Sequence, residues 1–175
     1  MNLLNRWAPR FFIRISPDTV EIHRRNRDVI WREEAVIALD PKDKNKVLGI
    51  GAAARLAVTY NSDAVLHWPF QHPRCLLSDW TSAQVYLQQA LRAQHKYRWL
   101  TTAPDVVVHP HPSEAQATGG LTPVEYTAWR DVFQRSGAKT VYFLRPMTLT
   151  DAQVQLLLQD TDALEADMGL PRPGP

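Results

Sequence analysis

The sequence predicts an α/β domain in which a mixed sheet carries helices on both faces. Three observations predict it. "FFIRISPDTVEI" (11–22) places two apolar, β-rich runs around a proline turn, so the chain opens as an antiparallel hairpin. "DVVVHPH" (105–111) and "KTVYFLRP" (139–146) read as short, buried-type strands. A well-capped helix lies between them, and a β-α-β crossover of that kind joins parallel strands.

The elements follow in order. In "MNLLNRWAPR", Leu3, Leu4 and Trp7 fall on one side of a helical turn beside Arg6 and Arg10, and Pro9 ends it. Residues 11–16 and 19–24 form the hairpin, because Pro17 suits the second position of a type I turn with Asp18 beside it. "DVIWREEAVIALD" (28–40) supplies a third strand with a charged interruption, and "PKDKNK" (41–46) a solvated turn. "VLGIGAAARLAV" (47–58) reads as a short alanine-rich helix after Gly-x-Gly.

Residues 59–78 read as irregular, with prolines at 69 and 73. Asp79 or Thr81 then caps a helix whose apolar face (Trp80, Val85, Leu87, Ala90, Leu91, Ala93) runs to about residue 96. "EAQATGG" (114–120) is a loop. In "LTPVEYTAWRDVFQRSGA" Thr122 is the N-cap, Pro123 the first helical residue and Glu125 the third, which is a capping box; Gly137 closes the helix. A last helix starts at the Thr150 cap, and residues 169–175 form a loose tail.

Composition narrows the classes of function. At 175 residues, 45% apolar and 22% charged, the chain is an ordinary globular domain able to bury a core. A net charge of +2 argues against a dedicated nucleic-acid binder. The charge is uneven: residues 1–58 carry eleven Lys/Arg against seven Asp/Glu, and residues 149–175 carry five acids and one arginine. Cys75 is the only cysteine, so no intramolecular disulfide forms. No apolar run reaches the length of a transmembrane helix, and no signal peptide is apparent, so a cytoplasmic location is expected.

Several segments in order resemble one family, the bacterial actin-like rod-shape protein MreB. They are "EEAVIALDPKDKNKVLGIGAAARLA", "VLHWPFQHPRCLLSDWTSAQVYLQQALRAQHK", "VVVHPHPS", "LTPVEYTAW" and "SGAKTVYFLRPM". The resemblance spans nearly all of residues 1–147 and rests on collinear order, since each motif is short. It implies an RNase H-like, actin-like domain over residues 11–168, with a small sub-lobe inserted at about 58–98 and residues 1–10 as a leader. It also implies cytoskeletal and cell-shape association.

Two departures shape the functional expectation. The family has two such domains with ATP between them, and the resemblance covers roughly the first. The first phosphate loop, of the type Asp-Leu-Gly-Thr-x-x-Thr, is replaced by "RISPDT". A backbone that approaches phosphate needs glycine, and the metal-linked water needs the carboxylate, yet Arg14 stands there. Glu125 matches the family's Thr-x-Val-Glu position, which orients the hydrolytic water; here it reads as a helix-start glutamate. Arg14 and Glu125 are therefore degenerate positions, with no catalytic residue, nucleotide, cofactor or metal expected.

Other constellations are weak. His109 and His111 lie two apart on a strand, with His67 and His72 elsewhere, but Cys75 is the only thiol and no zinc-ligand spacing appears. Ser113 and Cys75 lack a nucleophile elbow or a partnered thiol. "GIGAAARLA" lacks the downstream acidic strand of a dinucleotide site. The run His23-Arg24-Arg25-Asn26-Arg27 is a solvated hairpin tip or a patch for an anionic membrane. Residues Leu3, Leu4, Arg6, Trp7 and Arg10 are candidate contacts with the inner-membrane surface, which three apolar anchors would hold only weakly.

The sequence thus points to a non-catalytic, MreB-like half protein acting through a protein partner or self-association. The alternative is a nucleotide-dependent switch or enzyme on the same scaffold, completed by a partner or by dimerisation. Asp18, Asp105 and Glu125 are its candidate carboxylates. A third reading is a peripheral membrane adaptor.

Overall fold

The computed structural model describes residues 10–24, 27–72, 75–94, 103–111 and 121–144, with Ala152, Val154 and Leu158 of a last helix. The leader (1–9), the 114–120 loop and the 169–175 tail lie outside the described residues.

Five strands make the main sheet: β1 (Arg10–Ile15), β2 (Thr19–Arg24), β3 (Arg27–Glu34), β7 (Asp105–Pro110) and β8 (Thr140–Phe143). Their order is β3-β2-β1-β7-β8. The first three are antiparallel neighbours, whereas β7 runs parallel to β1 and β8 parallel to β7. β1 sits in the centre: Phe11, Ile13 and Ile15 on one face and Phe12, between two arginines, on the other are fully buried. Its Phe11, Ile13 and Ile15 join Val20, Ile22, Val106 and Val108 in the large core. Phe12 faces the other way, with Val107, Leu144, Val154 and Leu158.

Helices α2 (Trp80–Gln94) and α3 (Pro123–Arg135) cover the first face with Tyr86, Leu87, Trp129 and Phe133. α3 starts as the sequence dictates. Thr122 Oγ1 accepts from the Glu125 N–H, the Glu125 carboxylate accepts from the Thr122 N–H at 2.6 Å, and Gly137 turns the chain at φ 108°. α2 is capped by Asp79, whose carboxylate accepts from the Thr81 and Ser82 N–H groups. Phe70, wholly buried, stacks on Trp129 and thereby plugs the loop before α2 into the core.

A second, three-stranded antiparallel sheet has the order β5-β4-β6: β4 (Ile37–Asp40), β5 (Asp43–Ile50) and β6 (Val65–His67). Ile37 and Leu39 join the large core, while Val36 and Ala38 pack under α1 (Ala52–Tyr60) against Ala54. Burying residues of that size contributes about 1.5–3 kcal/mol each, so a shared core, more than surface pairing, holds the sheets together.

Here the structure differs from the sequence reading. The strand expected over 28–40 is two strands in different sheets, because the chain turns a corner at Ala35–Val36: the Ala35 N–H still donates to the Asp18 carbonyl in register with the β2–β3 pairing, whereas the Val36 carbonyl accepts from the Gly51 N–H beside β5. The expected turn at 41–46 and helix at 47–58 become β5 followed by a helix that begins at Ala52. The apolar run did not mark the change of period; the glycines did. Gly51 makes the strand-to-helix switch at φ 57°, and a Cβ on Gly49 would stand 2.6 Å from the Ala53 carbonyl carbon. The segment read as irregular contains the short β6, held on β4.

Candidate functional site

The site to be tested is the β1–β2 turn and what surrounds it. Its four residues, Ser16-Pro17-Asp18-Thr19, close on themselves. The Ser16 N–H donates to the Thr19 carbonyl at 2.9 Å, and the Thr19 N–H donates to Ser16 Oγ at 3.0 Å. Ser16 Oγ lies 3.0 Å from the Thr19 carbonyl and 2.8 Å from Thr19 Oγ1. Pro17 has no N–H at all. A phosphate cradle needs several convergent N–H groups, and this turn spends those of Ser16 and Thr19 internally.

Asp18 faces away from that ring of bonds. Its carbonyl accepts from the Ala35 N–H at 2.8 Å and its Oδ1 accepts from Gln71 Nε2 at 2.9 Å. On the β7 side the His111 N–H donates to the Ile15 carbonyl at 2.7 Å. Gln71 has no local sequence signal: it reaches Asp18 across 53 residues.

Arg14 does not face the turn. Strand alternation puts it on Phe12's side of the sheet, where its guanidinium lies over the Phe12 ring at 5.9 Å. Cross-strand register sets it opposite Glu21 on one side and His109 on the other. Glu21 takes Arg14 Nη1 at 3.2 Å, takes Arg32 Nε at 3.2 Å, and stands 3.6 Å from His23 Nε2. With its side chain only 10% exposed, Glu21 is the hub of this row. Arg14 thus has a structural occupation as a cross-strand ion pair. The sequence carried a signal for it, because a two-residue turn at 17–18 fixes the pairing of 14 with 21.

The three candidate carboxylates do not converge. Arg10 pairs with Asp105 and Ile15 with Pro110, so Asp105 sits at the end of the sheet opposite the turn. Five strand residues separate those levels by about 17 Å. Glu125 is held in its capping box. Among the described residues no group of three His, Cys, Asp or Glu side chains could hold a metal ion. His109 and His111 do come together, ring centroids 5.9 Å apart, but without a third ligand. Cys75 Sγ lies 3.4 Å from His72 Nδ1; burial, and then the charge of Glu125, push its thiol above the ordinary range, which opposes a thiolate. Ser113 lies outside the described residues, as do Leu3, Leu4, Arg6 and Trp7; Arg10 is the first residue of β1.

The β5–α1 junction resembles an anion site most closely and is filled. Glu33 Oε2 accepts from the Ala52 N–H at 3.0 Å, placing a carboxylate on the helix N-terminus. Next to it Glu34 pairs with Arg55, whose hydrogen bonds lower the Glu34 pKa.

Three antiparallel strands followed by two parallel ones, with helices on both faces, are the RNase H-like fold of actin-like ATPases. Solved structures carry the same architecture. MreB5 of Spiroplasma citri bound to ADP aligns with a TM-score of 0.61 at 18% identity, over 78% of this chain and 38% of that one. Its AMPPNP-bound form aligns at 0.57, also at 18% identity and with the same coverage. A non-polymerising MamK mutant bound to AMPPNP aligns at 0.50 and 12% identity, over 78% of this chain and 40% of that one. At such identities the likeness is one of fold, and the chain spans about two fifths of the length of these proteins. No protein-family model and no curated protein matches the sequence.

Proposed function

We propose that this chain is an MreB-like, non-catalytic interaction protein of the cytoskeletal or cell-shape machinery that has lost nucleotide binding. It works through a protein partner or through its own copies. The observation that carries the reading is the self-closed β1–β2 turn. In the position where an actin-like fold would cradle phosphate, Ser16 and Thr19 bond each other, Pro17 offers no donor, and no glycine lets the backbone approach a ligand. Arg14, opposite in charge to the family's carboxylate, is engaged with Glu21, and Glu125 with its own helix cap.

Those two engagements support the loss of hydrolytic chemistry as well as of binding. Contact with the inner-membrane face through residues 1–10 is part of the proposal. Among the described residues no helix is long and apolar enough to cross a membrane. Calorimetric titration of the chain with Mg-ATP and Mg-ADP tests the central claim. The expected result is no heat of binding up to millimolar ligand; micromolar affinity would overturn it.

A further inference from the structure

Among the described residues the chain passes between its two sheets at 34–36, and again beyond β6 over 68–72 and 75–79 on the way into α2. Two groups among the described residues touch both crossings. Arg55 of α1 holds Glu34 at the first, through Nε at 3.0 Å, and lies over the Trp68 ring at the second, 5.7 Å from its centroid. Asp18 bonds Ala35 at the first through its carbonyl, and Gln71 at the second through its carboxylate. The contacts close a ring: Asp18, Ala35 with Glu34, Arg55, Trp68 with Gln71, and Asp18 again. Further bonds stiffen it. Tyr86 Oη donates to the Glu34 carbonyl at 2.9 Å, and Ser78 Oγ donates to the Trp68 carbonyl at 2.7 Å.

We infer that Asp18 is a positioning residue that latches the crossing beyond β6, through Gln71, to the β1–β2 turn of the five-stranded sheet without a ligand. The inference rests on the reading that the turn holds no nucleotide, because it assigns the turn's carboxylate to an internal partner. The shared apolar core keeps the sheets associated; the latch governs local opening of the crossings and of α1. A carboxylate accepting an amide N–H at 2.9 Å has the geometry to do so.

Hydrogen exchange on the full chain, resolved by segment, tests this with three variants. In Asp18→Ala the exchange of residues 68–78 and of α1 is expected to rise about fivefold, the scale of one hydrogen bond. Asp18→Asn keeps the Oδ1 acceptor and is expected to exchange as the wild type does. Gln71→Ala is expected to match Asp18→Ala, and the double variant to be no faster than either. A change confined to the turn, an Asp18→Asn as fast as Asp18→Ala, or additive single effects would overturn the latch. Titration of the same wild-type sample with Mg-ATP separates the two claims: binding there defeats the loss of the nucleotide site, whereas the exchange pattern judges the latch.

Discussion

Two junctions in this chain invite a phosphate, and they are built in opposite ways. The β1–β2 turn, which the proposed function takes as the lost phosphate loop, has no glycine, and hydroxyls close it. The β5–α1 junction has the glycines and the helix N-terminus, and the Glu33 carboxylate closes it. In each, an oxygen of the chain itself takes backbone donors: those of Ser16 and Thr19 in the turn, and that of Ala52 at the helix start. Glycine content therefore does not identify an anion site; the decisive quantity is how many backbone N–H groups remain unspent.

The largest effect is expected at the glycine junction. Gly49→Ala drives a Cβ into the backbone of Ala53 and Ala54, which cannot yield as a side chain would. A loss of about 3 kcal/mol is expected. In a chain of this size that is a Tm lower by roughly 6–12 °C; calorimetric melting checks it, and an unchanged Tm would refute the close approach.

A smaller effect is expected at the hydroxyl junction. Ser16→Ala removes an oxygen that meets the Thr19 N–H, carbonyl and hydroxyl, and should cost about 1.5 kcal/mol in urea unfolding. If Ser16→Ala instead left stability intact, the turn would be held by its neighbours and not by its own ring of bonds.

The smallest effect, and the sharpest in pH, concerns Tyr86, which holds the Glu34 carbonyl near both junctions. Burial, then the charges of Glu33 and Glu34, push the Tyr86 pKa far above its ordinary value. A folded pKa raised above the unfolded one gives stability that is full below pH ~10 and declines as pH rises beyond it, where only the unfolded chain releases the proton. Tyr86→Phe should lose about 1 kcal/mol at neutral pH and flatten that alkaline decline. Urea midpoints at pH 8 and 10.5 measure both, and an equally steep decline in the variant would exclude Tyr86 as its source.

Much of the fold is legible because its signals are local. The hairpin, β7, the α3 capping box and β8 each carry a pattern within a dozen residues, and the structure places them as the patterns require. What failed was continuity: alternation across 28–40 cannot reveal that the chain leaves one sheet after Glu34 and enters another at Ile37. The site was half legible. The lack of glycine in the turn and the register of Arg14 with Glu21 follow from sequence, whereas Gln71 on Asp18 and Glu33 on α1 join residues 53 and 19 apart.

The local residue types alone say what Pro17 and Arg14 lack: proline has no N–H, and arginine is no carboxylate. Only the tertiary structure decided where the remaining polar groups are spent. Buried or crowded donors and acceptors must be paired, and for Asp18 and the Ala52 N–H the partners, Gln71 and Glu33, arrive from segments 53 and 19 residues away that no local pattern specifies.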